Sequence, residues 1–406
     1  PGYAYWYNKA RELQGDSQVF TAEMVQKMRD GVDGWGNTNW YDKVYGTGTR
    51  THHNISATGG SDRVRFFASI GYLNEDGNID NYGYNRLNLR SNIDAKLTKS
   101  LTFTLGVSGR IEKRDSPRYS ADPNAWHNVP QQIIRALPYV PDTYEYEGKT
   151  YNVSTPTASS PVASINESGY SKSNYSYIQS NFSLKYDAPW LKGLSFKFQG
   201  AYDLTYNFSK ILSNPYEVMI MNLPTIESTS LTYYKGTDAS GNSISLSESA
   251  SRGYTFTTQS SVTYDNKFGK HTVGAMFLAE TRENKSNALS ATGYGLDFIQ
   301  LDELNQITNK TGNGAEKFPS IGGYSGHTRV AGFVGRVNYN YDDKYYLEAS
   351  LRHDGSYLFG GMNKRWVTLP GVSAGWRLNN ESWFNAPWVN NLKLRAGIGK
   401  TATSGV

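Results

Sequence analysis

The sequence predicts an all-β fold: a transmembrane antiparallel up-and-down β-barrel with long extracellular loops and short periplasmic turns. Three observations carry this prediction: segments that alternate apolar and polar residues, segment lengths of roughly ten residues or more, and connections that are alternately short and long. Successive side chains of a strand point to opposite faces, so each segment has one apolar and one hydrophilic side. A strand tilted in a bilayer needs about ten residues to cross it.

The alternation is clearest in residues 62–111, which we interpret as three consecutive membrane strands. The middle segment places Leu87, Leu89, Ile93 and Ala95 on one side. Its other side carries Arg86, Asn88, Arg90, Asn92 and Asp94. We expect the apolar side to face acyl chains and the polar side to face a wet lumen.

Similar segments recur about a dozen times after Arg50. Residues 194–209 are the most regular, because Phe196 and Phe198 alternate there with Lys197 and Gln199. Short turns are predicted at Lys96, Pro189, Asn266 and Asp343. Long loops are predicted to begin near Glu112, Lys210 and Glu283. An outer-membrane barrel has short turns on its periplasmic side and longer loops outside, so the connection lengths also predict sidedness.

Residues 1–48 differ in kind from residues 49–406, which we assign to the barrel domain. A single short helix is expected over residues 21–30, with Thr21 as its N-cap and Gly31 as its stop. The aromatic, turn-rich residues 34–42 are expected to form an ordered loop. Because an open sheet edge cannot face lipid, we expect further strands after Val406 and leave open a domain before Pro1.

Composition excludes several classes of protein. Aromatic residues make up 14% of the chain, with 31 tyrosines, which suits strands that end at a membrane surface. A mean hydropathy of −0.60 is compatible with a barrel, because half of each strand faces water. The net charge of +5 without a basic block argues against nucleic acid. The absence of cysteine excludes disulfides and thiolate metal sites.

No catalytic constellation is found, so we predict neither an enzyme nor a cofactor or metal site. The adjacent histidines His52 and His53 would point to opposite faces of a strand and cannot readily share one ion. Metalloprotease, phosphate-loop and nucleophile-elbow motifs are not present. Acidic pairs such as Asp342 and Asp343 fall in predicted turns, where solvation explains them.

Five stretches in order resemble the SusC/RagA-like TonB-dependent outer-membrane transporters of Bacteroidetes-type bacteria. They are residues 37–42 (NTNWYD), 57–74 (ATGGSDRVRFFASIGYLN), 84–94 (YNRLNLRSNID), 345–356 (YYLEASLRHDGS) and 370–378 with 392–396 (PGVSAGWRL and LKLRA). The resemblance implies a 22-stranded barrel, an N-terminal plug, a SusD-like surface lipoprotein, energy supplied through TonB, and import of oligosaccharides or peptides. On this resemblance, residues 1–48 connect plug to barrel, and the plug and TonB box lie outside the chain.

Two sets of residues are candidates for solute contact. The first lies on the predicted lumen wall and consists of Arg86, Asn88, Arg90 and Asn92. The second consists of aromatic rings in a long loop, Trp126, Tyr139, Tyr144 and Tyr146, which can stack on the apolar faces of sugars. Two alternatives stay open: the wall residues contact a plug or only solvate the wall, and the rings pack the loop or dock a lipoprotein.

Two other functions also fit parts of the pattern. A surface-binding barrel or adhesin would share the strands and loops but transport nothing. A soluble all-β carbohydrate-active protein would share the alternation, although the loop–turn order and the missing acid/base pair disfavour it.

Overall fold

The structure is a computed structural model that describes residues 1–118, 129–226, 230–238, 243–357, 365–386 and 388–401. It confirms the predicted fold class, because twelve strands form one antiparallel sheet in which neighbours in sequence are neighbours in space. In hydrogen-bonded order the strands are β1 (Arg50–Gly60), β2 (Val64–Asp76), β3 (Gly83–Lys96), β4 (Leu101–Pro117), β7 (Gly169–Asp187), β8 (Leu194–Ser213), β11 (Ser245–Phe268), β12 (His271–Tyr294), β13 (Ser320–Tyr341), β14 (Tyr345–Ser356), β15 (Trp366–Arg377) and β16 (Lys393–Gly399).

The long-loop ends of several strands extend further than predicted. Strand β4 continues past Glu112, β8 past Lys210 and β12 past Glu283, so these three residues lie within strands and do not begin loops. The β11–β12 hairpin alone pairs 24 residues on each side, from Ser245 with Tyr294 to Phe268 with His271. The alternation of apolar and polar residues marks only the part of a strand that faces lipid. Backbone hydrogen bonds between strands continue beyond the membrane, where the outward-facing residues are polar. The predicted boundaries were therefore too short.

The register divides the sheet into two chemically different faces. One face carries the apolar set of every strand, so that Phe198, for example, lies between Leu184 on β7 and Ser260 on β11. The other face carries the polar set, in which Gln199 lies between Ser183 and Gln259. In the described strands, the apolar stretch of this face, which includes Leu89, Phe198 and Phe333, contains no Asp, Glu, Lys or Arg.

Aromatic residues edge the apolar face at both ends. At the turn end, Tyr345 stacks on Tyr341 and on Trp376, with ring centroids 6.4 Å apart in each pair. At the loop end, Tyr202 stacks on Tyr254 at 5.5 Å. Two such rows separated by apolar residues are typical of a barrel wall between two membrane–water interfaces.

A folded cap covers the loop end of the sheet. Two long connections contribute a second, four-stranded sheet made of β5 (Thr143–Tyr146), β6 (Lys149–Ser154), β9 (Tyr216–Met221) and β10 (Tyr233–Asp238). The same connections contain the helices α4 (Val129–Arg135) and α5 (Pro161–Asn166). The first long loop is therefore structured, because its buried apolar residues pack against the rest of the cap.

Residues 1–48 contain three helices where the sequence predicted one. They are α1 (Gly2–Leu13), α2 (Ala22–Asp30) and α3 (Trp40–Val44). The predicted helix is α2, with Thr21 and Gly31 as its caps, as expected. Helix α1 was missed because Pro1 gives no side-chain cap and only Ala4 and Asn8 are buried. Helix α3 was missed because the aromatic stretch reads as a loop, although Asn39 caps it.

The three helices belong to the cap at the loop end. Met24, Met28 and Trp40 share one core with Val129, Tyr139 and Met219 from the two long connections. The buried amide of Asn8 bonds to Phe20, accepting from its backbone N–H at 3.0 Å and donating to its carbonyl at 2.6 Å. This contact fixes α1 against the segment that leads into α2. Among the described residues, no helix has both the length and the apolar character needed to span a membrane.

Candidate functional site: the polar face of the sheet

The polar face of the sheet is lined by side chains that crowd together. Gln199, Asp203 and Thr205 on β8 are half-buried there. The alternate residues Phe198 and Tyr206 of the same strand remain 42% and 46% exposed. All four predicted wall residues of β3, Arg86, Asn88, Arg90 and Asn92, lie on this polar face.

A first recess of about 610 Å³ opens on this face beside β3. Arg90 and Asn92 line it, together with Asn181 and Asp203 from strands β7 and β8. The recess lies over Gly106, which stands between Asn92 and Asn181 in the ladder. A Cβ at Gly106 would come within 2.2 Å of the Asn181 Oδ1 atom, so only glycine allows both amides to approach here.

A second recess of about 370 Å³ continues along the wall and shares Asp203 with the first. Hydroxyl and amide groups line it, including those of Thr255 and Asn284, and Tyr177 and Tyr254 contribute aromatic rings. The Thr255 hydroxyl donates to the Asn284 amide oxygen at 2.7 Å, and the Asn284 amide donates to Thr328 at 3.0 Å. The two recesses together offer hydrogen-bond donors and acceptors with few full charges.

Arg86 and Asn88 lie nearer the loop end, outside both recesses. In the β3–β4 ladder they stand opposite Glu112 and Arg110, and these two form an ion pair at 2.9 Å. The Arg110 guanidinium also lies over the rings of two tyrosines of β7, at 5.7 and 6.0 Å from their centroids. Arg110 therefore faces a carboxylate and two rings of the wall, whereas the Nε atom of Arg86 is buried without a hydrogen-bond partner among the described residues.

Sequence analysis missed a polar network that crosses the wall further along. The Gln199 amide donates to Gln259, and the Gln259 amide donates to the Glu280 carboxylate. Arg352 lies 3.9 Å from Glu280 and 2.6 Å from Asp354. These five residues come from four strands, β8, β11, β12 and β14, and only the register between the strands brings them together. The signal was present, because each one occupies a polar position of an alternating segment.

The predicted loop aromatics are separated by the fold. Tyr139 is 5% exposed and packs against Tyr3, Phe20 and Trp35 at centroid distances of 5.5, 5.2 and 6.1 Å. Burial raises the pKa of the Tyr139 phenol, which keeps it neutral. This placement favours the loop-packing alternative for Tyr139.

Tyr144 stacks on Tyr233 at 4.0 Å, and its ring is half-buried. Tyr146 is 41% exposed and is the predicted ring that remains accessible in the described part of the chain. Trp126 lies outside the described residues. The cap therefore uses two of the predicted rings in packing and leaves one free to meet a solute.

The described residues contain no group of three or more His, Asp or Glu side chains that could hold a metal ion. The two adjacent histidines stand opposite different partners, His52 opposite Leu73 and His53 opposite Tyr72. They therefore point to opposite faces of β1, as the sequence predicted.

Three comparisons place the chain among known proteins. No family model matches the sequence. The chain is 24% identical over 400 residues to the TonB-dependent receptor P3 of Formosa agariphila, covering 96% of this chain and 36% of that receptor. It is 23% identical over 389 residues to the TonB-dependent receptor SusC of Bacteroides thetaiotaomicron, covering 92% of this chain and 36% of that receptor. The chain thus spans about a third of the length of these relatives.

The fold is similar to a solved structure of the RagAB peptide transporter, with a TM-score of 0.70 and 20% identity, over 98% of this chain and 44% of that one. An open-open state of the RagAB peptide importer gives a TM-score of 0.68 over 94% of this chain. The relatives named here are receptors and transporters. With the twelve-stranded sheet and its two faces, these likenesses support the resemblance of this chain to part of a SusC/RagA-like TonB-dependent transporter.

Proposed function

We propose that this chain forms part of the barrel wall of an outer-membrane active transporter that imports oligosaccharides or peptides. The observation that carries the proposal is the division of the sheet into an uncharged outer band and a hydrogen-bonding inner wall. Such a wall lets a hydrated solute pass while the outer face remains in lipid. An outer-membrane location is supported by the likeness to TonB-dependent receptors and by the two-faced antiparallel sheet.

The inner recesses suit a neutral, polyhydroxylated or amide-rich solute. Asn92, Asn181 and Thr255 present both donors and acceptors, which sugar hydroxyls and peptide amides can pair with in any orientation. Tyr177 and Tyr146 supply rings for stacking. RagAB is named a peptide transporter, which supports the peptide alternative by analogy.

The proposal includes partners outside the chain. A SusD-like lipoprotein would deliver solute at the loop end, and TonB would act on a plug to open the path. Residues 1–48 would form the connection between plug and barrel that the sequence resemblance implies. The helices of this segment are held in the loop-end cap, so the connection would be anchored at the outer side of the wall.

The test is a substitution that fills the first recess of the full-length transporter. The readout is the uptake of fluorescent oligosaccharide and peptide pools by cells that express it. Gly106→Val should reduce uptake several-fold while heat-modifiability stays normal, because the added methyls displace Asn181. Gly109→Val is the matched control on the same strand. Gly109 lies on the outer face, and a Cβ there meets nothing within 4 Å, so uptake should be unchanged.

Equal uptake by the Gly106→Val and Gly109→Val variants would show that the solute does not use the first recess. Capture of solute at the cell surface without entry, in the unmodified transporter, would instead support the surface-binding barrel. The two outcomes are distinguished by protease or quencher treatment of intact cells, which acts only on material left outside.

A further inference from the structure

A cleft of about 510 Å³ opens on the outer, apolar face of the sheet. Its floor is one cross-strand row of small side chains that runs from Thr258 through Thr281 and Ala331 to Gly355. The row ends at Trp366, which pairs with Gly355. We call this feature the boundary cleft, because it lies where the apolar band ends.

Gly355 shapes the boundary cleft by allowing Trp366 to lie flat on the sheet. A Cβ at Gly355 would stand 2.7–2.8 Å from atoms of the Trp366 indole, so any larger residue would push the ring away. The indole also stacks on Phe333 at 6.0 Å and on His353 at 4.8 Å. The ring is thus fixed as one wall of the cleft, with 46% of the residue still exposed.

The side of the boundary cleft toward mid-membrane is apolar. Phe333 lies one row below the floor, next to Ala279 on β12, and stacks on Phe277 at 6.3 Å. Both phenylalanines are exposed on the outer face, at 43% and 53%. A hydrocarbon chain that leaves the cleft along β12 and β13 meets Ala279, Phe333 and Phe277, while Ser260 and His353 flank the same row on either side.

The opposite side, toward the loop end, is charged. Glu283 and Arg329 stand opposite each other one row above the floor and form an ion pair at 3.1 Å. His327 also contacts Glu283, at 2.7 Å. Arg365 lines the same rim and forms no ion pair with any described residue. Two arginines against one carboxylate leave this rim positively charged, and the Arg329 side chain is 66% exposed.

We propose that the boundary cleft binds a membrane lipid with an anionic, phosphate-bearing headgroup. The phosphate would be held by Arg329 and Arg365, whose guanidinium groups suit phosphate oxygens. One acyl chain would lie over the small-residue floor against Trp366 and continue along Phe333. The charged rim, the floor of small residues and the aromatic wall follow one another along the strands. A bilayer leaflet has the same order, with the headgroup first, then the glycerol region and then the hydrocarbon.

A lipid fits this cleft better than a soluble phosphate compound because of where the cleft lies. It opens on the face that contacts the membrane, at the level where the outward-facing residues change from apolar to charged. A soluble anion would gain nothing from the apolar half of the cleft. The lipid would fill a gap in the wall that the side chains of β11 to β15 leave open.

The test measures lipid retention by the purified full-length transporter with native mass spectrometry in mild detergent. The probes are phosphatidylglycerol and a diacyl galactolipid with the same chains but no phosphate. We expect one phosphatidylglycerol to be retained about ten-fold more tightly than the galactolipid. The double variant Arg329→Gln with Arg365→Gln should lose that preference. Ala331→Phe, which fills the floor without changing charge, should lose retention of both lipids.

Arg252→Gln is the matched control, because Arg252 is an exposed arginine on the outer face of β11, nearer the loop end than the rim, and does not line the cleft. It should behave like the unmodified protein. The proposal is overturned if the double variant keeps the preference, or if the Ala331→Phe variant retains lipid normally. Displacement of phosphatidylglycerol by millimolar inorganic phosphate would also overturn it, since that would show an anion site that makes no use of the acyl chain.

Discussion

At the scale of single residues, Glu381 is the most tightly held charge at the turn end. It follows β15 and receives hydrogen bonds from the Tyr345 hydroxyl at 2.6 Å and from the Trp376 indole N–H at 2.9 Å. Lys344 lies 3.2 Å away, and only 9% of the Glu381 side chain is exposed. One carboxylate thereby fixes two rings of the aromatic row and one turn.

The hydrogen bond from Tyr345, with those from Trp376 and Lys344, lowers the pKa of Glu381 from its ordinary 4.5 to about 2. A lowered pKa in the folded state means that its stabilisation is complete above about pH 4.5 and fades as the pH falls toward 2. We expect Glu381→Gln to lower the temperature of heat-modification at neutral pH by a few degrees. The variant should lose less stability than the unmodified protein between pH 5 and pH 3.

The measurement is the shift of the folded band on gels after heating at several pH values. Glu348→Gln is a suitable control, because Glu348 lies on the inner face of β14 and contacts neither ring. Identical pH curves for Glu381→Gln and the unmodified protein would show that the carboxylate does not hold the aromatic row.

At the scale of the element, strand β8 shows how one residue of register separates two environments. Phe198 is 42% exposed on the outer face and packs beside Phe182 at 5.7 Å. Its neighbour Gln199 lies on the inner face, in the network that leads to Glu280. A shift of one residue would exchange the two faces along the whole strand.

Phe198→Arg should prevent membrane assembly, because an arginine on the lipid face near mid-membrane costs ~2–4 kcal/mol. Gln199→Arg is the matched variant and should assemble normally, since the inner wall is wet and Glu280 is near. Assembly is measured by heat-modifiability of the full-length protein recovered from outer membranes. Equal assembly of the two variants would contradict our assignment of faces.

At the scale of the whole molecule, the cap joins parts of the chain that are far apart in sequence. Trp40 in α3 donates to the Leu137 carbonyl at 3.1 Å, and Tyr233 in β10 donates to the Gly34 carbonyl. These bonds gather the N-terminal helices and both long connections at one end of the sheet. The short turns, such as residues 97–100, lie at the other end.

This arrangement predicts which residues can be labelled from outside the cell. The chain has no cysteine, so single substitutions report position directly. We expect Ala315→Cys in a long loop and Lys9→Cys in α1 to react with a membrane-impermeant maleimide on intact cells. Lys99→Cys should react only after the outer membrane is permeabilised. Labelling of Lys99→Cys on intact cells would contradict our assignment of the short turns to the periplasm. Protection of Lys9→Cys would contradict our placement of the helices on the outer side.

The sequence alone determined the fold class, the dozen strands, the two faces and the order of turns and loops. Alternation of apolar and polar residues is a local signal, and it states directly which side of a strand faces lipid. The positions of Arg86, Asn88, Arg90 and Asn92 on the inner face follow from that signal. Four of the five stretches that carry the resemblance lie in or beside these strands, and the fifth, residues 37–42, lies at α3.

Only the tertiary structure decided what the strands build together. The recess over Gly106, the network from Gln199 to Asp354 and the boundary cleft each depend on register between strands that are distant in sequence. The burial of Tyr139 and the place of α1 to α3 depend on contacts across long connections. A local pattern shows which way a side chain points, but only pairing and packing decide which other side chain it meets.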